Sequence, residues 1–263
     1  MFLSERSVLV QGILKDLERR AWYLYCSPEG FYPIAGAMIP WLAAVALIAC
    51  SVGICLGLFV VPADPQLGEA ARIVFIHVPA SWVAMLMFLA MAGAAGIGLI
   101  FNAQLAAMAA IALAPTGLLF AFFDLWTGSL WDKAISGNWW EWSLSTLSEL
   151  VLASLYVGFI GFHTAIEDLQ RANKAGSWLL LAGVLSVLVN FVAVPSWAAH
   201  HQGALPSATG ALGLGTFQLA SLLAMGLGFI AYGGVAALLR LRCVILEGER
   251  QSSWSAPRGA SAP

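Results

Sequence analysis

Hydrophobic residues occur along the chain in six long blocks that are separated by short polar segments. Each block is long enough to cross the hydrocarbon core of a bilayer, which takes about 20 residues of helix for a thickness of about 30 Å. The predicted membrane-spanning helices cover residues 33–61, 76–101, 105–125, 144–165, 178–198 and 217–239. The pattern therefore predicts an all-α polytopic integral membrane protein with six transmembrane helices.

The flanking segments divide the chain into three parts. Residues 1–32 place apolar and charged positions on opposite faces at helical spacing, which predicts an amphipathic segment on the membrane surface. Residues 33–243 form the predicted six-helix membrane domain, with an outward Trp-rich loop over residues 126–143. Residues 244–263 are rich in Ser, Ala and Pro, which predicts a disordered tail.

Basic residues are distributed unevenly between the two sides of this predicted bundle. Ten of the twelve Lys and Arg residues lie in the N-terminal segment, the loop between the fourth and fifth spans, and the C-terminal tail. The other two, Arg72 and Lys133, lie in loops on the opposite side. The positive-inside rule then predicts that both termini are cytoplasmic and that the loops around 62–75, 126–143 and 199–216 face outward. In a Gram-negative bacterium this is the inner membrane, with those loops in the periplasm.

The composition excludes several classes of protein. The chain is 60% hydrophobic and 10% charged, whereas a typical soluble domain is about 45–50% apolar and about 25% charged. It has no basic patch that would bind nucleic acid, and no ATPase or hydrolase motif. Its four cysteines include no C-x-x-C-H sequence, so the chain is not itself a c-type cytochrome. We therefore expect a membrane protein without enzymatic activity of its own.

The predicted outward side contains an unusual concentration of indole and imidazole side chains. One short segment carries Trp126, Trp131, Trp139, Trp140 and Trp142. On the same side, His77 is predicted at the solvent-facing mouth of the second span, and His201 follows the fifth span. Neutral imidazoles are good axial ligands of haem iron, and indoles can stack on a porphyrin. This pattern is typical of a haem site, with Arg72 and Lys133 as the outward cations for the propionates.

Simpler interpretations of the same residues stay open at this point. Trp is enriched at membrane interfaces, so the tryptophans could form an ordinary aromatic belt. A histidine at a helix end is more often solvated than bound to a metal. Glu149 lies about one turn inside the fourth span, where it could hydrogen-bond a histidine or a loop amide. Asp124 lies near the outer end of the third span and could simply reach the interface.

Several stretches of the chain resemble a known family. Residues 131–142, W-D-K-A-I-S-G-N-W-W-E-W, resemble the tryptophan-rich WWD segment of haem-handling proteins. More closely, the chain resembles the CcmC family, the haem-handling membrane subunit of system I cytochrome c maturation. The other matching stretches are residues 72–82, 114–131 and 148–158, with a weaker match at 201–203.

This resemblance implies a function and a set of partners. It implies that haem b binds non-covalently on the outer face, with His77 and His201 as axial ligands of the iron. Further residues that match family positions are Arg72, Trp131, Trp139, Trp140, Trp142 and Glu149. The family loads haem onto a periplasmic chaperone, CcmE, with the help of a small membrane subunit, CcmD. An ABC transporter ATPase and its membrane subunit, CcmA and CcmB, then drive release of the loaded chaperone.

The chain departs from the family pattern at three serines. Ser136, Ser143 and Ser145 stand where the family has Trp, Asp and Arg, and the adjacent His200 makes the second ligand ambiguous. Two alternative functions therefore stay open. One is a haem-handling component similar to those of system II, and the other is a divergent membrane scaffold or permease subunit without haem binding.

Overall fold

The computed structural model of the protein contains six helices that are long and apolar enough to cross a membrane. It describes the backbone of residues 27–65, 67–201 and 215–255, and the side chains of residues 27–65, 67–189 and 215–250. No β-strand occurs within these ranges. The prediction of an all-α polytopic membrane protein is confirmed. Most of the predicted amphipathic segment, up to residue 26, lies outside the described residues.

The helices follow one another with short connections. Helix α1 covers Pro28–Cys55 and continues as a π-helical turn over Leu56–Val60. A 3-10 turn over Glu69–Ile73 leads into α2, Val74–Phe101. The remaining helices are α3, Gln104–Ser136; α4, Leu144–Ala165; α5, Leu169–His201; and α6, Thr216–Ser255.

Helix α3 extends well past its predicted end at residue 125, so the first half of the predicted Trp-rich loop is helical. Buried positions continue along one face of the helix through Phe120, Asp124, Thr127 and Trp131, a spacing of three to four residues. Two of these four residues are polar, which is why hydropathy alone places the end of the helix too early. Only residues 137–143 remain as a loop.

Helix α6 also differs from the prediction. It continues to Ser255, so residues 244–255, which were predicted to be disordered, are helical. The side chain of Ile245 is buried in a cluster with Ala112 of α3 and Leu241. An apolar contact of this kind stabilises the added turns beyond what their intrinsic helix propensity provides.

Helix α2 lies at the centre of the bundle. It packs against α3, α5 and α6, while α1 packs against α6, and α4 packs against α3 and α5. The core between these helices includes Phe88, Met91 and Leu152. The fully buried Tyr156 of α4 donates a hydrogen bond of 2.7 Å to the carbonyl oxygen of Ala84 in α2. A buried phenol needs such a partner, and the bond joins two helices that are distant in sequence.

The outer surface of the bundle is strongly apolar. On α1, Trp41 is 78% exposed, Leu47 71% and Phe59 81%. Contiguous apolar surface of this kind is rare on soluble monomers, but it is the surface that lipid tails solvate. The protein is therefore a multi-pass membrane protein.

The two described loops that were predicted to face outward lie at the same end of the bundle, which we name the tryptophan end. Val61, Val74 and Trp131 share one buried cluster there, which joins the end of α1, the start of α2 and the last turns of α3. Helix α3 has 33 residues and is about 50 Å long at 1.5 Å per residue, more than the hydrocarbon thickness of about 30 Å. Part of α3 therefore projects beyond the hydrocarbon core.

Candidate functional site

His77 points into the bundle at the tryptophan end. Its side chain is buried, with 6% of the residue exposed, so the prediction of a solvent-facing position is wrong. The reason is local: the 3-10 turn over Glu69–Ile73 starts the helical structure earlier than predicted and carries it further outward. His77 consequently lies two turns below the start of that structure, against α3.

One edge of the His77 ring is surrounded by groups of α3. Its Nδ1 atom lies 3.1 Å from Oγ1 of Thr127, 3.2 Å from the carbonyl oxygen of Asp124 and 3.3 Å from Oδ1 of the same residue. The Thr127 hydroxyl itself donates to the carbonyl oxygen of Phe123 at 2.6 Å. Since Nδ1 faces oxygen acceptors, it carries the ring proton, and in the neutral imidazole the lone pair is on Nε2.

A small cavity lies beside the His77 ring, which forms part of its lining. It encloses about 40 Å³ and is lined by residues of α3, of the loop after it and of α4, among them Gly128, Trp131, Trp140 and Glu149. Glu149 is 8% exposed, and its Oε1 accepts a hydrogen bond of 3.2 Å from the hydroxyl of Ser145. Glu149 and His77 therefore line the same cavity, and the predicted hydrogen bond from Glu149 to a histidine or a loop amide stays a prediction.

Asp124 completes a cluster of ionisable groups in this region. It is 1% exposed, so it does not reach the interface as the sequence allowed. One ligand atom each from His77, Asp124 and Glu149 lie within 4.8 Å of one another. Buried ionisable groups within a membrane bundle mark functional sites by default, and this donor set of nitrogen and oxygen atoms suits a transition metal.

The predicted tryptophans divide into two groups. Trp131 is 3% exposed and packs in the cluster that holds α1, α2 and α3 together, so it supports the site from within. Trp139 is 58% exposed and Trp142 is 73% exposed. The partly buried Trp140 contacts Trp142 edge to face, with ring centroids 5.5 Å apart. The outer tryptophans therefore form an aromatic surface that continues from Trp140, which lines the cavity.

The loop that carries this surface is held to the end of α3. The hydroxyl of Ser129 donates to the carbonyl oxygen of Trp139 at 2.6 Å. The ammonium group of Lys133 bonds the carbonyl oxygen of Gly137 and lies 5.6 Å from the centroid of the Trp139 ring. Gly137 has φ of 81°, a left-handed conformation that ends the helix and favours glycine. Lys133 is thus engaged by the loop rather than directed into the cavity.

Arg72 does not face the cavity either. Its guanidinium pairs with Glu69 and donates to the carbonyl oxygens of Gly57 and Val61 at the end of α1. These carbonyls have no partner within a regular α-helix, and a cation at a helix C-terminus is favourable. In this structure Arg72 joins the end of α1 to the turn before α2, and the structure does not bring it together with His77 and Glu149.

We expect Arg72→Ala to lower the free energy of unfolding by about 1–3 kcal/mol, because hydrogen bonds from a charged group are lost. The measurement is the thermal unfolding midpoint in detergent. Arg171→Ala is the matched control, since Arg171 pairs with Asp168 at the same i, i+3 spacing but is 82% exposed in its side chain. A midpoint for Arg72→Ala equal to that of the control would contradict this structural role.

The second predicted ligand, His201, is the last residue of α5, and its side chain and that of His200 lie outside the described residues. Within the described side chains, the structure brings together His77, Trp131, Trp140 and Glu149. The sequence analysis missed Asp124 and Thr127 as partners of the histidine. The buried stripe along α3 is the signal that points to them, whereas nothing in the sequence indicates the role of Gly128.

The three serines that depart from the family pattern each have a structural role. Ser143 is the N-cap of α4, where its hydroxyl accepts a hydrogen bond of 3.1 Å from the backbone N–H of Thr146. Aspartate is an equally good N-cap. The hydroxyl of Ser136 donates to the carbonyl oxygen of Asp132 at 2.9 Å, and Ser145 bonds Glu149. The substitutions therefore leave the local fold of the loop supported.

Comparison with known proteins identifies the family. The family model described as heme exporter protein C matches residues 21–256. Heme exporter protein C of Escherichia coli strain K12 is 37% identical over 86% of this chain and 91% of the relative. The protein of the same name from Haemophilus influenzae is 33% identical over 88% of this chain and 94% of the relative. The one from Bradyrhizobium diazoefficiens is 34% identical over 77% of this chain and 77% of the relative. The chain therefore belongs to the CcmC family, the heme exporter protein C family, as the resemblance of its Trp-rich segment predicted.

Proposed function

We propose that the protein handles haem in the maturation of c-type cytochromes. It binds haem b non-covalently at the tryptophan end and passes it to a periplasmic haem chaperone of the CcmE type. Membership of the heme exporter protein C family supports the haem-handling role. The observation that carries the proposal within this chain is the buried His77 ring, whose Nδ1 is turned to oxygen acceptors of α3 beside the cavity that Trp140 also lines.

The chemistry of the donor set fits haem. Nε2 of His77 supplies the lone pair that an axial ligand needs, and Trp139 and Trp142 offer exposed indole faces that suit a porphyrin. The buried indole N–H of Trp140 has no hydrogen-bond partner among the described residues. A propionate oxygen is an acceptor of the type that this N–H lacks.

The cavity is too small to hold a porphyrin in this conformation. It holds about 40 Å³, whereas pockets for small ligands measure about 300–1,000 Å³. Haem binding in this proposal therefore requires residues 137–143 to move away from His77. The Ser129 and Lys133 contacts hold that loop by few bonds, and a loop with few buried contacts opens at low free-energy cost.

The second axial ligand in this proposal is His201, with His200 as the alternative. Both belong to the last turn of α5, which the connectivity places at the same end of the bundle as the start of α2. Two imidazoles from different helices can hold iron from opposite faces of the porphyrin.

The distribution of charges and the family membership support a proposed orientation and a proposed set of partners. The excess of Lys and Arg on the opposite side supports cytoplasmic termini and a periplasmic tryptophan end in the bacterial inner membrane. The partners are a CcmE-like chaperone, a CcmD-like small subunit, and a CcmA/CcmB-like ATPase with its membrane subunit, within the lipid bilayer. The protein acts as a transfer subunit and has no enzymatic activity of its own.

The absorbance spectrum of the detergent-purified protein tests this function, with and without co-expression of a CcmE-like chaperone. We expect a Soret band of bound haem from the protein alone, and haem on the chaperone after co-expression. A flat spectrum in both preparations would contradict haem binding and favour the scaffold alternative. A Soret band without haem on the chaperone would contradict the transfer step alone.

A further inference from the structure

We propose that Asp124 and Thr127 are positioning residues for His77. They hold its ring so that Nδ1 carries the proton and the lone pair of the neutral imidazole is on Nε2. The inference deepens the proposed function and rests on it, because it concerns how a ligand is oriented rather than which ligand is bound. Its basis is the arrangement of acceptors around one edge of the ring.

The hydrogen bonds determine the direction of the ring proton. The carbonyl oxygen of Asp124, at 3.2 Å from Nδ1, can only accept. The Thr127 hydroxyl directs its own proton to α3 carbonyls, those of Phe123 at 2.6 Å and Asp124 at 3.2 Å. Its oxygen, at 3.1 Å, is therefore an acceptor toward His77. A ring flipped by 180° would turn a carbon atom to these acceptors and remove the hydrogen bond that the ring donates to them.

The carboxyl group of Asp124 lies beside the same edge of the ring. Its Oδ1 lies 3.3 Å from Nδ1 and has no hydrogen-bond partner among the described residues that meets the geometric criteria. An oxygen acceptor beside the N–H of a ligating histidine, whether a carboxyl group or a backbone carbonyl, fixes the tautomer and makes the ligand more basic.

The neighbouring edge of the ring, at Cε1, is kept open by Gly128. A Cβ atom at Gly128 would lie 3.3 Å from Cε1 of His77 and 3.6 Å from Oε2 of Glu149. A side chain at this position would therefore press on the ring and on the carboxylate that line the cavity. Within about one and a half turns, α3 therefore places hydrogen-bond acceptors at one edge of the His77 ring and leaves empty space at the neighbouring edge.

The test compares Asp124→Asn, Thr127→Val and His77→Ala with wild-type protein in detergent. Haemin affinity by absorbance titration and the reduction potential of bound haem are the readouts. We expect Asp124→Asn to weaken haemin binding by about 10–100-fold. We expect it also to raise the reduction potential, since a less basic axial ligand stabilises ferric iron less. Thr127→Val changes both quantities in the same direction by less.

Tyr156→Phe is the matched control for a purely structural effect. It also removes a buried hydrogen bond to α2, so we expect lower thermal stability with unchanged affinity and potential. The positioning role would be overturned if Asp124→Asn keeps wild-type affinity and reduction potential while His77→Ala loses haemin binding. That result would leave the proposed function intact. If His77→Ala binds haemin as wild type does, the ligand assignment fails instead. If Asp124→Asn does not accumulate as folded protein, unchanged values in Thr127→Val would overturn the inference.

Discussion

Replacement of His77 by Ala removes the Soret band of haem bound to the purified protein. The reason is that His77 supplies an axial nitrogen in the proposed function, and loss of a ligand should exceed the roughly 10–100-fold that loss of a ligand's hydrogen-bond partner costs. The measurement is a haemin titration followed by absorbance, on protein whose monodispersity is checked by size-exclusion chromatography. A Soret band of wild-type intensity would contradict the assignment of His77 as a ligand.

Because His77 is buried, its removal also leaves space next to Asp124, and a folding defect could imitate a loss of binding. His77→Gly with added imidazole separates the two effects, since free imidazole can occupy the vacated space and ligate iron. We expect imidazole to restore the band. His163→Ala is the matched control, because that histidine lies in α4 with both ring nitrogens within 3.0 Å of partners, the Phe159 carbonyl and the Asn173 side chain. We expect its haem content to remain at the wild-type level.

Gly117→Val causes the largest expected loss of stability. A Cβ atom at Gly117 would lie 2.3–2.4 Å from the ring and hydroxyl of Tyr156, and Tyr156 is fully buried with no room to move. Overpacking of this kind costs about 1–3 kcal/mol. Displacement of the phenol also breaks its bond to the Ala84 carbonyl, which adds about 1 kcal/mol. We therefore expect a lower thermal unfolding midpoint in detergent.

Gly93→Val on α2 provides the comparison. Nothing lies within 4 Å of a Cβ atom at Gly93, so we expect little change there. Equal midpoints for the two variants would contradict the tight packing of α3 against α4. Tyr156→Leu should partly rescue Gly117→Val, because it removes the ring that the new side chain strikes, and that coupling is measured by a double-mutant cycle.

The sequence determined the number and placement of the membrane helices. Each block from residue 33 to residue 239 had to satisfy its own backbone hydrogen bonds in a bilayer, and a helix does so locally. The same reasoning explains why α3 and α6 end later than predicted. Beyond residues 125 and 239 the chain is more polar, and helical structure there depends on contacts with other helices, such as those of Trp131 and Ile245.

The sequence indicated only some of the residues that form the site. It indicated His77, Glu149 and the Trp-rich segment, because imidazole, carboxylate and clustered indole are unusual in a membrane protein and are readable from residue type. It could not tell which tryptophans are exposed. Trp131 and Trp139 have the same side chain, and only the packing of α1, α2 and α3 buries the first and leaves the second at the surface.

The tertiary structure alone decided which groups meet. His77 and Asp124 are 47 residues apart in the chain and contact each other because α2 packs against α3. Arg72 was predicted to pair with a haem propionate because it is a cation on the outward side. In the structure its guanidinium instead binds the carbonyl oxygens at the end of α1. The local sequence of a helix indicates where the helix lies in the chain and which of its faces is apolar. The partner of a buried polar group depends on which other helix lies against it, and that is determined by the packing of the whole bundle.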